Sequence, residues 1–246
     1  MALTGLSFIG YSRGEQGGAV FQASHRERSE PIGPQYHSAK ASELQVACEL
    51  ALAAFNPFRK LSGATRGAFL SEIANQMEAS RDEIVARYVI ETGLPEVRAN
   101  GEFNRTIGQI RLFAQVASEG TWVDPRIETA VPDRQPLPKP DMRSMWIPIG
   151  PVAVFGASNF PLAYSVMGGD SASALAAGCP IIVKAHAAHP GVSEIVGNCV
   201  IAAAQSTGMP EGVFSMLYDS GFEIGQALVA HPAVKGVGFT GSQRGG

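Results

Sequence analysis

Gly236-Val-Gly238-Phe-Thr-Gly241 spells G-x-G-x-x-G, a spacing that can bring backbone N–H groups against a pyrophosphate. That chemistry needs the first glycine in the turn after a strand, a helix N-terminus behind it, and an acidic residue about 20 positions on. Here Gly236 and Gly238 fall inside an apolar run, so the match as a fingerprint is coincidental. Its tail is more useful. Thr240-Gly241-Ser242 reads as the turn leaving the strand, and Gly245 and Gly246 lie where a helix would begin and could hold phosphate. Cys179, His186, His189 and Cys199 match no usual zinc spacing, and no metal is expected. Taken singly, Asn159 is a turn residue before Phe-Pro and Lys184 a solvated lysine at a strand end.

The elements that must position these residues fall into three parts. Residues 1 to about 37 read as short β-like pieces, Leu6–Ile9 and Ala19–Gln22, between Gly- and Ser-rich turns. From Ser38 to Ala117 the pattern is helical, and Phe69, Leu70, Ile73, Met77, Ile84, Val85 and Val89 predict helix across Thr65–Thr92. Gly93 and Pro95 then stop it, with Glu91 and Thr92 ending and capping the helix. Five prolines between 119 and 143 exclude a helix there and leave only extended chain. The main boundary is placed in that segment, giving parts 1–118, 119–143 and 144–246. Apolar runs at Val152–Phe155, Ile181–Val183, Val213–Leu217 and Val234–Phe239 then alternate with helical stretches at Ala163–Ala177, Val192–Thr207 and Phe222–Ala230. This predicts an α/β fold with a Rossmann-type parallel sheet flanked by helices. Right-handed crossovers put the loops after Phe155, Val183, Leu217 and Phe239 at one carboxyl edge, where ligands of such sheets bind.

A chain that is 45% hydrophobic and 17% charged has an ordinary globular composition. Its formal charge of −3 gives no electrostatic case for nucleic acid or an anionic membrane as partner. Three cysteines without paired spacing argue against a disulfide framework, and no secretory signal or 18-residue apolar stretch is present. These features read as a cytoplasmic protein.

Four loop segments agree with one family. Phe155-Gly156-Ala157-Ser158-Asn159-Phe-Pro161, Ile181-Ile-Val-Lys184, Gly221-Phe-Glu-Ile-Gly225 and Phe239-Thr240-Gly241-Ser242 resemble the successive cofactor-site motifs of aldehyde dehydrogenases. Glu91-Thr-Gly93-Leu-Pro95 and Ala172-Ser-Ala-Leu-Ala-Ala-Gly178 agree as well, so the resemblance covers essentially the whole chain. More narrowly, Asp133-Arg-Gln-Pro-Leu-Pro138 and Val183-Lys-Ala-His-Ala-Ala-His-Pro190 are similar to the α-ketoglutarate semialdehyde (2,5-dioxopentanoate) branch. The resemblance implies an oxidoreductase taking that semialdehyde to 2-oxoglutarate with NADP or NAD. Asn159 would donate its amide to the developing oxyanion, a donor whose loss typically costs about 10²–10³ in rate. Lys184 would bind the adenine ribose, Gly221 and Gly225 would line the adenine side, and Ser242 would meet the pyrophosphate. Phe155, Gly156, Ala157, Ser158, Phe239, Thr240 and Gly241 would complete the cofactor site.

Ala187 stands where many NAD-preferring relatives carry a glutamate that binds the ribose hydroxyls. NADP is therefore expected to be accepted, with His186 beside Lys184 helping to hold a 2′-phosphate. Arg111 falls in the helix that lines the family's substrate tunnel and is the candidate cation for a substrate carboxylate. The family's glutamate base and nucleophilic cysteine come after the turn at Ser242, and Cys48, Cys179 and Cys199 do not match the nucleophile. Residues 1–246 are thus expected to be an N-terminal half, inactive on their own, with exposed apolar surface that favours aggregation. The complete protein is expected to be a homo-oligomer with the proline-rich arm in its contacts. The alternatives are a catalytically inactive nucleotide-binding fragment, or a dehydrogenase of another semialdehyde or aliphatic aldehyde.

Overall fold

A computed structural model describes residues 2–246. In chain order its elements are β1 (Phe8–Ile9), β2 (Ser12–Arg13), β3 (Val20–His25), β4 (Glu30–His37), α1 (Ala41–Arg59), α2 (Gly63–Ala79), α3 (Arg81–Thr92) and α4 (Glu96–Glu119). There follow β5 (Arg126–Glu128), β6 (Met142–Ser144), β7 (Val152–Phe155), α5 (Gly169–Ala177), β8 (Ile181–Lys184), α6 (Pro190–Ser206), β9 (Phe214–Leu217), α7 (Glu223–Ala230) and β10 (Gly236–Phe239).

The helical stretch expected as one run over Thr65–Thr92 is two helices. Ser80 ends α2, with its N–H on the carbonyls of Gln76 and Met77, and its own carbonyl accepts from Ile84 to start α3. The break is made by the Ser80 backbone, at φ −100° and ψ 11°, and leaves the apolar periodicity intact, which is why the pattern conceals it. Gly93, at φ 70°, closes α3 in the left-handed conformation, and Pro95 opens α4. The helix expected from Ala163 begins only at Gly169, because residues 160–168 form a set of turns.

The main sheet has the order β10-β7-β8-β9-β1-β2. Strands β10, β7, β8 and β9 are parallel, and β1 joins β9 antiparallel through Phe8↔Met216. One face is covered by α5 and α6 with α2, α3 and α4 behind them; the other carries α1 and α7. The first core includes Phe8, Phe58, Phe69, Phe103, Val154, Val183 and Phe214, so packing runs from the N-terminal helices into the sheet across the 119–143 segment. That segment is extended. Strands β5 and β6 pair antiparallel, and Val131 bridges Lys139. No described helix is long and apolar enough to cross a membrane.

Candidate active site at the carboxyl edge of the sheet

Phe239, Phe155, Lys184 and Leu217 are register partners in one row across the last residues of the four parallel strands. From β7 the chain steps outward through β8 to β9 and then returns to place β10 on the far side of β7. The crevice between β7 and β10 is thus a topological switch point, where diverging loops leave room for a ligand. The loops beginning at Gly156 and Thr240 flank it.

The row divides the candidate residues between two faces. Side chains alternate along a strand, and Ile182 packs in the α1/α7 core, so Lys184 is on that face too. Phe155 shares it: its ring lies 5.9 Å from that of Phe239, and a Cβ at Gly225 of α7 would come 3.2 Å from it. Gly225 therefore lets α7 approach the strand. Gly221 faces open space, its nearest would-be neighbour being Asp219 Oδ1 at 3.5 Å. Asp219 itself accepts from the N–H groups of Gly221 (2.9 Å) and Ile224 (3.2 Å), fixing the start of α7.

Lys184 is half-buried, and burial lowers its pKa against the opposing pull of Asp219. Among the described residues it has no ion-pair partner. A partly desolvated ammonium beside open space is suited to an anionic or hydroxyl-bearing ligand. His186 is a neutral neighbour. Burial, then His189 and Lys184, push its pKa down to about 4. Its Nδ1 accepts from the Ala188 N–H at 3.1 Å, which leaves the ring proton on Nε2. Ala187 is partly exposed in the same turn.

The loop carrying Asn159 crosses to the opposite face and is fixed along its length. Gly156 N–H donates to the Lys184 carbonyl (3.2 Å) and Ala157 N–H to that of Tyr164 (2.7 Å). His189 Nε2 lies 2.9 Å from the Ala157 carbonyl, and Arg98 Nη2 donates to the Asn159 carbonyl at 2.7 Å. Glu102 Oε1 accepts from Leu162 and Ala163 N–H at 2.8 and 3.0 Å, while its Oε2 accepts from Tyr88 Oη at 2.7 Å. With its backbone held, Asn159 keeps an exposed side chain, next to exposed Ser158, free to donate.

At the other side of the crevice a Cβ at Gly241 would come 2.7 Å from the Phe239 ring, so a side chain there would have to push that ring aside. Ser242 is exposed, and its carbonyl accepts from the N–H groups of Gly245 (3.0 Å) and Gly246 (3.2 Å), the opening of a helical turn.

The structure brings together Phe155 to Asn159, Lys184 to Ala187, Gly221, Gly225 and Phe239 to Ser242 at one edge. It does not bring Arg111 there. That guanidinium pairs with Glu78 of α2. His189 is fully buried at the start of α6. Glu91 also does more than end its own helix: its carboxylate accepts from Gly191 (2.9 Å) and Val192 N–H (3.0 Å) and so caps α6. The supports that sequence reasoning missed are Glu102, Arg98 and His189. A detectable signal for Glu102 was a carboxylate in the apolar stripe of Ala99, Phe103, Thr106 and Ile110.

The aldehyde dehydrogenase family profile matches residues 15–246. The chain is 51% identical over 247 aligned positions to alpha-ketoglutaric semialdehyde dehydrogenase 2 of Azospirillum brasilense, covering 100% of this chain and 47% of that protein. Alpha-ketoglutaric semialdehyde dehydrogenase of Acinetobacter baylyi is 40% identical, over 98% of this chain and 46% of its own length. The chain thus spans about half the length of the curated relatives it matches. Among solved structures, an NAD-dependent benzaldehyde dehydrogenase from Corynebacterium glutamicum superposes with a TM-score of 0.83 at 24% identity, over 98% of this chain and 50% of that one. At 24% identity the likeness speaks for the fold.

Proposed function

The chain belongs to the aldehyde dehydrogenase family, and from that premise we propose that the protein oxidises α-ketoglutarate semialdehyde to 2-oxoglutarate with NADP, NAD being the second cofactor. The observation that carries the reading is the arrangement at the switch point, with the backbone-anchored Asn159 on one side of the β7 edge and the half-buried Lys184 on the other.

Nucleotide chemistry fits the donors present. Lys184 offers a cation for ribose hydroxyls or a 2′-phosphate, Gly221 leaves the space before α7 open, and the turn from Gly241 offers backbone N–H groups to a pyrophosphate. The bound nicotinamide would supply the hydride acceptor. Asn159 is suited to hold the substrate oxygen as negative charge grows on it, because a fixed neutral amide needs no reorganisation and no proton of its own. Ala187 offers no carboxylate to repel a 2′-phosphate, which supports acceptance of NADP. The nucleophilic role is assigned to none of Cys48, Cys179 and Cys199, all of which are buried. The identity to proteins named for the semialdehyde supports that substrate. The exposed apolar side chains Ile127, Leu137 and Met142 on the arm support a homo-oligomer.

Titration calorimetry of the protein with NADP and NAD, followed by aldehyde turnover by the full-length protein, tests the reading. Micromolar binding that Lys184→Met weakens at least tenfold is expected. No nucleotide binding, or no oxidation of 2,5-dioxopentanoate, would sink it.

A further inference from the structure

Arg98, Glu102 and Arg105 stand at i, i+4 and i+7 on one face of α4, and the loop from Asn159 to Tyr164 runs along that face in the same direction. Each residue holds one station of the loop. Arg98 takes the Asn159 carbonyl, Glu102 takes the Leu162 and Ala163 N–H groups, and Arg105 Nη2 donates to Tyr164 Oη at 3.1 Å. The guanidinium carbons of Arg98 and Arg105 lie 5.0 and 5.1 Å from the ring centroids of Phe160 and Tyr164. Those two rings pack edge to face at 5.4 Å.

The three stations are not equivalent. Glu102 is buried and fully engaged by three donors. Arg98 is committed to the backbone of Asn159. Arg105 is exposed and meets only a neutral phenol, with no carboxylate partner among the described residues. A guanidinium carries five N–H donors and stays charged at any physiological pH, so most of its donor capacity is unspent. Arg111, six positions further along α4, has its charge answered by Glu78.

We propose that Arg105, seated on the Tyr164 ring, is the residue that reads the carboxylate of an anionic aldehyde substrate, the part first expected of Arg111. The inference rests on the semialdehyde reading above. Length agrees with it. Seven residues of helix advance about 10 Å from Arg98 to Arg105. A five-carbon oxo acid with four bonds of about 1.5 Å and a hydrogen bond of about 2.8 Å at either end spans a similar distance. The hydrogen bond to Tyr164 Oη and the ring beside it hold the guanidinium in place, and a planar fork can then meet a carboxylate with two parallel hydrogen bonds.

The test compares a five-carbon ω-oxo acid with pentanal, its uncharged counterpart, in the complete family-length protein. Arg105→Met should raise KM for the oxo acid about ten- to a hundredfold with kcat changed less than threefold. The ratio of kcat/KM for oxo acid over pentanal should fall by the same factor, and Arg105→Lys should recover part of it. Arg111→Ala should leave the ratio where it was. Equal losses on both aldehydes, an unchanged ratio in Arg105→Met, or a ratio that falls in Arg111→Ala instead would overturn the assignment. A wild-type protein that oxidises pentanal but not the oxo acid, or neither, would instead defeat the semialdehyde reading and take this inference with it.

Discussion

The imidazole of His189, buried at the start of α6, lies with Nε2 2.9 Å from the carbonyl oxygen of Ala157, two residues before Asn159. A carbonyl can only accept, so the neutral ring carries its proton on Nε2; Ser193 Oγ lies 3.3 Å from Nδ1 and donates to the His189 carbonyl at 3.1 Å. One helix terminus thereby sets the height of the loop that presents the candidate oxyanion donor.

Replacing His189 by leucine should strand the Ala157 carbonyl and cost about 1–3 kcal/mol of stability. Urea unfolding followed by circular dichroism measures it, and His189→Gln, which can still donate, should lose less. A leucine variant as stable as wild type would show that the bond does not bear on the loop.

Glu102 predicts a larger effect. Its removal leaves two backbone N–H groups and the Tyr88 hydroxyl without their acceptor. Glu102→Ala should cost about 3 kcal/mol or more, since each buried donor left unsatisfied costs about 1–3 kcal/mol. Denaturant midpoints decide between this and a surface-like change below about 0.5 kcal/mol.

Stability should fall on mild acidification. His186 titrates near 4 in the folded chain and His189 is also lowered by burial, against about 6.5 for an unfolded histidine. Between these values the unfolded chain binds more protons, so the contribution is intact above about pH 6.5 and is lost as pH drops towards 4. Urea midpoints at pH 7.5, 6 and 5 should drop more steeply for wild type than for His186→Gln; parallel curves would exclude this origin.

On the proposed reading, position 187 bears on cofactor choice. Ala187→Glu should weaken NADP relative to NAD by about tenfold or more, since a carboxylate would oppose a 2′-phosphate. Calorimetric Kd values for both nucleotides check it, and an unchanged ratio would move the discrimination elsewhere.

The thiols should be quiet. Burial pushes Cys48 up to about 11 and raises Cys199 as well. Folded protein at pH 8 should react with a disulfide reagent much more slowly than urea-unfolded protein; rapid labelling of any cysteine would reopen the assignment of the nucleophile.

The parallel strands were readable because strands buried on both faces must be continuously apolar, as in Ile181–Val183 and Val152–Phe155. The turn ending at Ser242 was readable because Gly236 and Gly238 sit inside a strand and leave only Gly241 for the bend. What sequence did not disclose was support from afar. Glu102 holds residues 60 and 61 positions away, and Glu91 caps a helix 100 positions on. No local pattern announces such partners. Arg111 illustrates the same limit. A sequence places it on a helix, but only the packing of α2 against α4 shows Glu78 claiming its charge.

The antiparallel strand β1 completes the sheet beside β9, and Ser7 Oγ accepts from Tyr218 N–H across 211 residues. During synthesis at about 5–20 residues per second, that partner emerges roughly 10–40 seconds after β1 does. For that interval the first strand has only the two-residue β2 to pair with. Closure of this edge of the sheet therefore joins two segments made far apart in time. A permuted chain that begins near the arm and links its former ends should close the sheet sooner.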